Sequence, residues 1–332
     1  MMASFRHHGG MLGAAQARFG GAATDWIDLS TGINPQPWPG AVDVAIDWGA
    51  LPDRKALANL EAQAARYFGA NPLLCRAVPG SEAGLRLLAP LLGLPGRHLA
   101  LSYRTHAEAF DDAEPVSEPT APQGGATAFV IANPNNPDGR LLSRENILAL
   151  LALQEAQGGW LIVDEAFADC HPEVSAGDLV DDSRRLIVLR SFGKFFGLAG
   201  LRLGFVIAPC TVLARLGRSL GDWPINAAAL SLGSKAYADQ PWIAAARIRL
   251  HCDAAAIDAL LARHGLVAEG ACPLFRLVRT PHAQTLFTGL AKCSILTRPF
   301  ADRPDLLRLG LPVDHLALDR LDEALTAVLA GD

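Results

Sequence analysis

A chain of 332 residues, half of them hydrophobic and 19% charged, can bury one sizeable core and a smaller second one. Its net charge of −5 gives no electrostatic footprint for nucleic acid. Six cysteines without a C-x-x-C pair read as reduced thiols of a cytoplasmic protein, residues 1–10 lack the apolar core of a signal peptide, and the longest apolar stretch, 203–220, is broken by Pro209, Arg215 and Arg218, which argues against a membrane span.

The first forty residues are rich in glycine and proline and read as an extended arm. Helical apolar spacing then runs from Lys55 to Phe68. Arg76–Pro79 is a short strand-like run, and Gly80-Ser81-Glu82 opens a helix through Leu92. Strands are predicted at Leu99–Tyr103, Ala126–Asn133, Trp160–Phe167, Leu186–Phe192 and Leu201–Ala208, with a helix capped by Ser143 and running to Ala156. Strands spaced by helices predict an α/β domain with a mainly parallel sheet. The link between the last two strands is too short for a crossover helix, so one of them is expected to run antiparallel. A helix follows at Trp242–His264. Leu274–Val278, His282–Lys292, Ser294–Arg298 and Leu306–Leu309 then read as strand, helix, strand, strand, and a helix at Asp319–Leu329 closes the chain. The expected division is an arm at 1–40, a large domain at 41–215 and a small α+β domain at 216–332.

In open α/β sheets ligands bind beyond the carboxyl ends of the strands. The most informative polar segment there is Ser191-Phe-Gly-Lys194-Phe-Phe-Gly-Leu-Ala-Gly-Leu-Arg202-Leu-Gly204. A lysine directly after an apolar strand, in a glycine-rich turn, is not an ordinary surface lysine, and a Schiff-base lysine must be desolvated enough to have a free amine available. Taken by itself, Lys194 also reads as a structural turn with a snorkelling lysine.

The segment resembles the lysine motif of the fold-type I pyridoxal-phosphate (PLP) enzymes, the aspartate-aminotransferase-like superfamily. The resemblance implies an α/β fold: a large domain with a mainly parallel, seven-stranded sheet flanked by helices, a smaller α+β carboxyl-terminal domain and an amino-terminal arm. It implies pyridoxal 5′-phosphate as cofactor, Lys194 as the residue that holds it covalently, and no metal. Asp164, in Val163-Asp-Glu-Ala-Phe167, resembles the aspartate that pairs with the pyridine nitrogen; a carboxylate there keeps the ring protonated and able to absorb carbanion charge. Asn136, in Asn133-Pro-Asn-Asn-Pro-Asp-Gly139, resembles the asparagine on the cofactor's ring oxygen. Gly80, Ser81 and Glu82 resemble the phosphate-binding turn at a helix amino terminus, and Ser191 and Arg202 the other phosphate ligands. His106 falls where an aromatic ring stacks on the cofactor, and an imidazole offers a flat face. Two positions depart from the pattern. Phe167 stands where many aminotransferases have a tyrosine, and Leu51 where a tyrosine reaches the neighbouring subunit of the homodimer.

His8-Gly-Gly10, then Asp28-Leu-Ser-Thr-Gly-Ile-Asn34-Pro35, resemble the start of the threonine-phosphate decarboxylase family of cobalamin biosynthesis. This resemblance runs over nearly the whole chain. It implies decarboxylation of L-threonine O-3-phosphate to (R)-1-amino-2-propanol O-2-phosphate, and contacts with other enzymes of that pathway. The implied substrate ligands are His8, Gly9, Gly32 (where the family has an asparagine), Asn136, Arg298 and Arg308. Planar guanidinium groups suit bidentate binding of carboxylate or phosphate. Two alternatives stay open: a histidinol-phosphate aminotransferase, and a non-catalytic sensor or assembly module of the same fold.

Overall fold

The computed structural model describes residues 5, 8–119 and 125–330. Residues 1–4, 6–7, 120–124 and 331–332 lie outside it, and with them most of the segment on which the lack of a signal peptide was read. In chain order the elements are α1 (Leu12–Phe19), β1 (Ile27–Asp28), α2 (Arg54–Tyr67), β2 (Cys75–Val78), α3 (Ser81–Leu92), β3 (Gly96–Leu99), α4 (Thr105–Glu108) and β4 (Ala113–Val116). They continue with β5 (Ala128–Ala132), α5 (Arg144–Ala156), β6 (Trp160–Asp164), β7 (Leu186–Ser191), α6 (Phe192–Phe195), β8 (Gly204–Ile207), α7 (Cys210–Leu220), α8 (Ala227–Ala238) and α9 (Gln240–Arg263). The last are β9 (Ala268–Glu269), β10 (Phe275–Arg279), α10 (Ala283–Lys292), β11 (Ile295–Leu296), β12 (Arg298–Pro299), β13 (Leu306–Gly310) and α11 (His315–Ala330).

The chain forms two compact units. A sheet unit comprises 37–136 and 140–245; a terminal unit comprises 1–36, 137–139 and 246–332. This partition differs from the limits at 40/41 and 215/216 read from the sequence. The reason is packing: α7 buries Val212, Leu213 and Leu216 in the same core as Leu85 and Leu88 of α3.

The sheet unit holds seven strands in the order β2-β8-β7-β6-β5-β3-β4. All are parallel except β8, which is antiparallel to both neighbours, as the short link after β7 requires. The inner strands bury nearly every residue, which is why they read as unbroken apolar runs. Val130, Ile162, Ile187, Leu189 and Val206 meet α3 and α7 in the main core. Edge strand β4, whose middle residues Glu114 and Pro115 are exposed, was not legible in the sequence, because it carries no apolar run.

In the terminal unit β12-β13-β10-β9 form an antiparallel sheet, and β1 pairs in parallel with β11. The stretch Ser294–Arg298, expected as one strand, is split between β11 and β12. The opening segment is not simply extended. It contains α1, whose Phe19 clusters with Phe5 and with Phe287 of α10. Among the described residues no helix is long and apolar enough to cross a membrane.

Candidate active site

In the sheet unit, the carboxyl ends of β2, β3, β5, β6 and β7 lie along one edge. Because β8 runs the other way, its first residue reaches the same edge: Gly204 is in register with Val78 on one side and Ser191 on the other. The direction of strand addition reverses between β3 and β5, and such switch points open a crevice for ligands.

Gly80 lies at the end of β2 with φ +101, a conformation that favours glycine. It caps α3, whose amino terminus has no side-chain cap, so its first N–H groups are suited to an anion. A Cβ at Gly80 would lie 2.9 Å from Arg202 Nη2, so the missing side chain leaves room for that guanidinium. Arg202 itself is left-handed at φ 53, the strained kind of position that collects at functional sites. Gly204 allows Ser81 to approach: a Cβ there would be 2.4 Å from the Ser81 nitrogen. Backbone of β2, β8 and α3 therefore converges on one point.

Ser191 ends β7 and precedes α6. Phe192, Phe195 and Phe196 around Lys194 are buried, with Phe192 and Phe196 stacked at 4.4 Å. They pin the turn while Lys194 stays half-buried, its Nζ 5.7 Å from the Phe167 ring centre. Asn136 follows β5 and is half-buried; Leu51 is exposed.

Asp164 ends β6 and is 7% exposed. Its Oδ1 accepts the Ala166 N–H at 3.1 Å, and its Oδ2 lies 3.1 Å from His106 Nε2. That partner assigns the proton to Nε2. Here the structure corrects the sequence reading of His106. The imidazole is fully buried and turns its edge to a carboxylate, so it is no exposed stacking face. The aromatic nearer solvent is Tyr103, perpendicular to His106 with ring centres 5.8 Å apart. An aromatic shortly beyond a strand, three residues before the histidine, was the signal that could have found it.

The Glu82 side chain, on which the expected backbone phosphate turn makes no demand, has partners of its own. Its carboxylate accepts bonds from Tyr103 Oη at 3.0 Å, Thr105 Oγ1 at 3.2 Å and Arg86 at 3.2 Å. Burial works to raise its pKa, but these bonds and the Arg86 charge outweigh it and hold the carboxyl below its usual range. Only its backbone N–H remains available to an anion. Burial, with Glu82 close by, pushes the Tyr103 phenol up to about 12, so it stays a donor at neutral pH.

Strand alternation turns Glu165 and Arg190 to the opposite face from Asp164 and Ser191. Arg190 there bonds Glu165 at 2.8 Å and Asp169 at 2.9 Å, all three side chains at most 3% exposed. Burial disfavours its charge, and the two carboxylates more than restore it, so its pKa lies above the ordinary value. No pattern in the chain pointed to this network beyond the charged letters themselves.

The terminal unit carries the other expected residues. His8 is exposed, Gly9 half-buried and Gly32 buried. Arg298 and Arg308 face each other directly across β12 and β13. Arg308 is 7% exposed, lies 5.1 Å from the Phe275 ring centre and donates from Nη2 to the Ser30 carbonyl at 3.0 Å. Like charges directly opposite on a sheet repel, and a bound anion relieves that cost. Among the described residues no group of three or more His, Cys, Asp or Glu could hold a metal ion.

The family model described as aminotransferase class I and II matches residues 110–309. A threonine-phosphate decarboxylase of Sinorhizobium sp is 42% identical over 329 residues, covering 96% of this chain and 97% of that protein. One of Pseudomonas aeruginosa is 40% identical over 332 residues, covering 96% of each. Among solved structures, histidinol-phosphate aminotransferase from Sinorhizobium meliloti, in complex with pyridoxal-5′-phosphate, superposes with a TM-score of 0.83 at 18% identity, covering 96% of this chain and 94% of that one.

Proposed function

This chain belongs to the class I and II aminotransferase family, and from that membership we propose that it decarboxylates L-threonine O-3-phosphate to (R)-1-amino-2-propanol O-2-phosphate for cobalamin synthesis, with pyridoxal 5′-phosphate as cofactor. The donor set fits that cofactor. The space left by Gly80 beside Arg202, together with the uncapped start of α3, suits a phosphate. Asp164 suits a protonated ring nitrogen, Asn136 the ring oxygen, and Tyr103 the ring face. His106 acts behind Asp164, fixing the orientation of its carboxylate.

When bound, the cofactor supplies a sink for the electron pair left on Cα as CO2 departs. Lys194 holds the cofactor in the resting enzyme and afterwards delivers a proton from Nζ to Cα. Phe167, in place of a tyrosine, leaves the ring oxygen one donor fewer. Arg298 and Arg308 take the substrate's anionic groups, with His8, Gly9 and Gly32 beside them. Orienting those groups decides which bond to Cα is weakened.

The observation that carries the choice of substrate is the arginine pair in register on β12 and β13. Two cations side by side suit a small molecule with both a carboxylate and a phosphate; histidinol phosphate has no carboxylate. The test is product analysis. Threonine phosphate should release CO2 and the amino alcohol phosphate, a result that also excludes a non-catalytic module. Glutamate from histidinol phosphate plus 2-oxoglutarate, with no CO2 from threonine phosphate, would make the protein an aminotransferase instead. In the same assay Arg308→Ala should lower kcat/KM at least about tenfold, because a charged hydrogen bond contributes roughly 1.5–3 kcal/mol and each ~1.4 kcal/mol is a factor of ten.

The reading includes a homodimer. Its support is apolar exposure on the sheet unit: Val42, Trp48 and Leu51, with Trp223 as well, are more than half exposed. Sedimentation at assay concentration should give a dimer, and a fully active monomer would refute it. A cytoplasmic location is supported by the six cysteines, none of which is in a disulfide.

A further inference from the structure

We propose that Ser30 is a positioning residue for the phosphorylated amino acid, holding the amino-terminal arm and Arg308 to one common reference point. The inference rests on the reading that His8, Gly9 and Arg308 meet the substrate.

Ser30 is 2% exposed, and every polar group it has is engaged. Its Oγ donates to Asp28 Oδ1 at 2.5 Å and accepts the Gly10 N–H at 2.7 Å. Its own N–H donates to Asp28 Oδ1 at 2.8 Å. Its carbonyl accepts Arg308 Nη2 at 3.0 Å. Asp28 thus fixes the hydroxyl rotor, so that the lone pair of Oγ points at the arm. The arm comes so close that a Cβ at Gly9 would lie 2.3 Å from the Ser30 carbonyl oxygen. On the other side, the Gly310 N–H donates to the Leu29 carbonyl at 2.7 Å. A Cβ at Gly310 would lie 2.3 Å from the Thr31 carbonyl oxygen, so the strand bearing Arg308 is also seated at backbone contact. Two binding elements from opposite ends of the chain are therefore registered against the three residues 29–31.

Only one of these contacts depends on the Ser30 side chain reaching the arm: the bond to Gly10. Ser30→Ala removes that bond and leaves the carbonyl bond to Arg308. The arm should loosen while Arg308 stays seated. With Arg308 still seated, the orientation of the substrate at Cα is kept, and what the loosened arm takes away is binding common to the ground and transition states.

The experiment uses holoenzyme. For Ser30→Ala the expected result is a rise of about tenfold in KM for threonine phosphate with kcat within about twofold, read as lost uniform binding. Hydrogen exchange at the Gly10 amide should quicken, cofactor affinity by absorbance titration should be unchanged, and Ser30→Thr, which keeps the hydroxyl, should restore KM. An unchanged KM with unchanged Gly10 exchange overturns the proposal. So does a rise in KM accompanied by falls in cofactor affinity and Tm, which marks a general structural role. A wild-type enzyme that releases no CO2 from threonine phosphate fails the functional reading instead, and the Gly10 exchange then decides separately whether Ser30 tethers the arm.

Discussion

Lys194→Ala should lose at least about a thousandfold in turnover while keeping its fold, since a positioned proton donor alone contributes roughly 10²–10⁴-fold. The loss should exceed that of any other single change, because the same nitrogen both anchors the cofactor and returns the proton to Cα. Stability should hardly move. The turn is anchored by Phe192, Phe195 and Phe196, all at most 1% exposed, whereas Lys194 is half-buried. The direct check is borohydride reduction of the wild type followed by peptide mapping. The pyridoxyl group should be found on Lys194. A label on Lys55, Lys235 or Lys292 would overturn the assignment.

Asp164→Asn should lower turnover by at least about a hundredfold, the usual cost of losing one preorganised electrostatic partner. The substitution is nearly isosteric, and the amide oxygen can still accept the bond from His106 Nε2. What disappears is the negative charge that keeps a ring nitrogen protonated. Cofactor binding by absorbance and Tm should therefore stay near wild type, with the loss confined to kcat. Near-normal turnover would exclude the role.

Residues whose chemistry depends only on their place along a strand were legible in the sequence. Asp164 and Ser191 end buried apolar runs, and Lys194 follows one within a turn, so a mostly apolar run with an abrupt polar stop locates them. The antiparallel β8 was legible too, from the shortness of the link after β7. Side-chain direction was not. Tyr103 lies just before α4 and His106 within it, three residues on, and which ring turns inward depends on the Asp164 carboxylate, 58 positions from His106. The Glu82 side chain was equally illegible: its backbone belongs to the anion-binding turn, as expected, while its carboxylate bonds Tyr103 and Arg86. The register that sets Arg298 opposite Arg308 arises from a hairpin whose first strand is only two residues long, too short for any periodicity. Ser30 was visible only as one letter of the Asp28–Pro35 segment, because its importance lies in four bonds to partners spread from Gly10 to Arg308.

The terminal unit is assembled from both ends of the chain, whereas the sheet unit is nearly continuous. This sets an order of events during synthesis. Ile27 pairs with Ile295, and the Leu29 carbonyl waits for the Gly310 N–H. Residues 27–29 are thus among the last to find their places, after every strand of the large sheet has already been made. Contacts of such wide separation close slowly, because the chain between them must first be ordered. The arm residues assigned to the substrate cannot take up their positions until β11 and β13 have emerged, so a truncated chain ending before β11 would carry all seven strands of the large sheet, Lys194 and the α10 surface that receives Phe19, yet lack the backbone partners of Ile27 and Leu29.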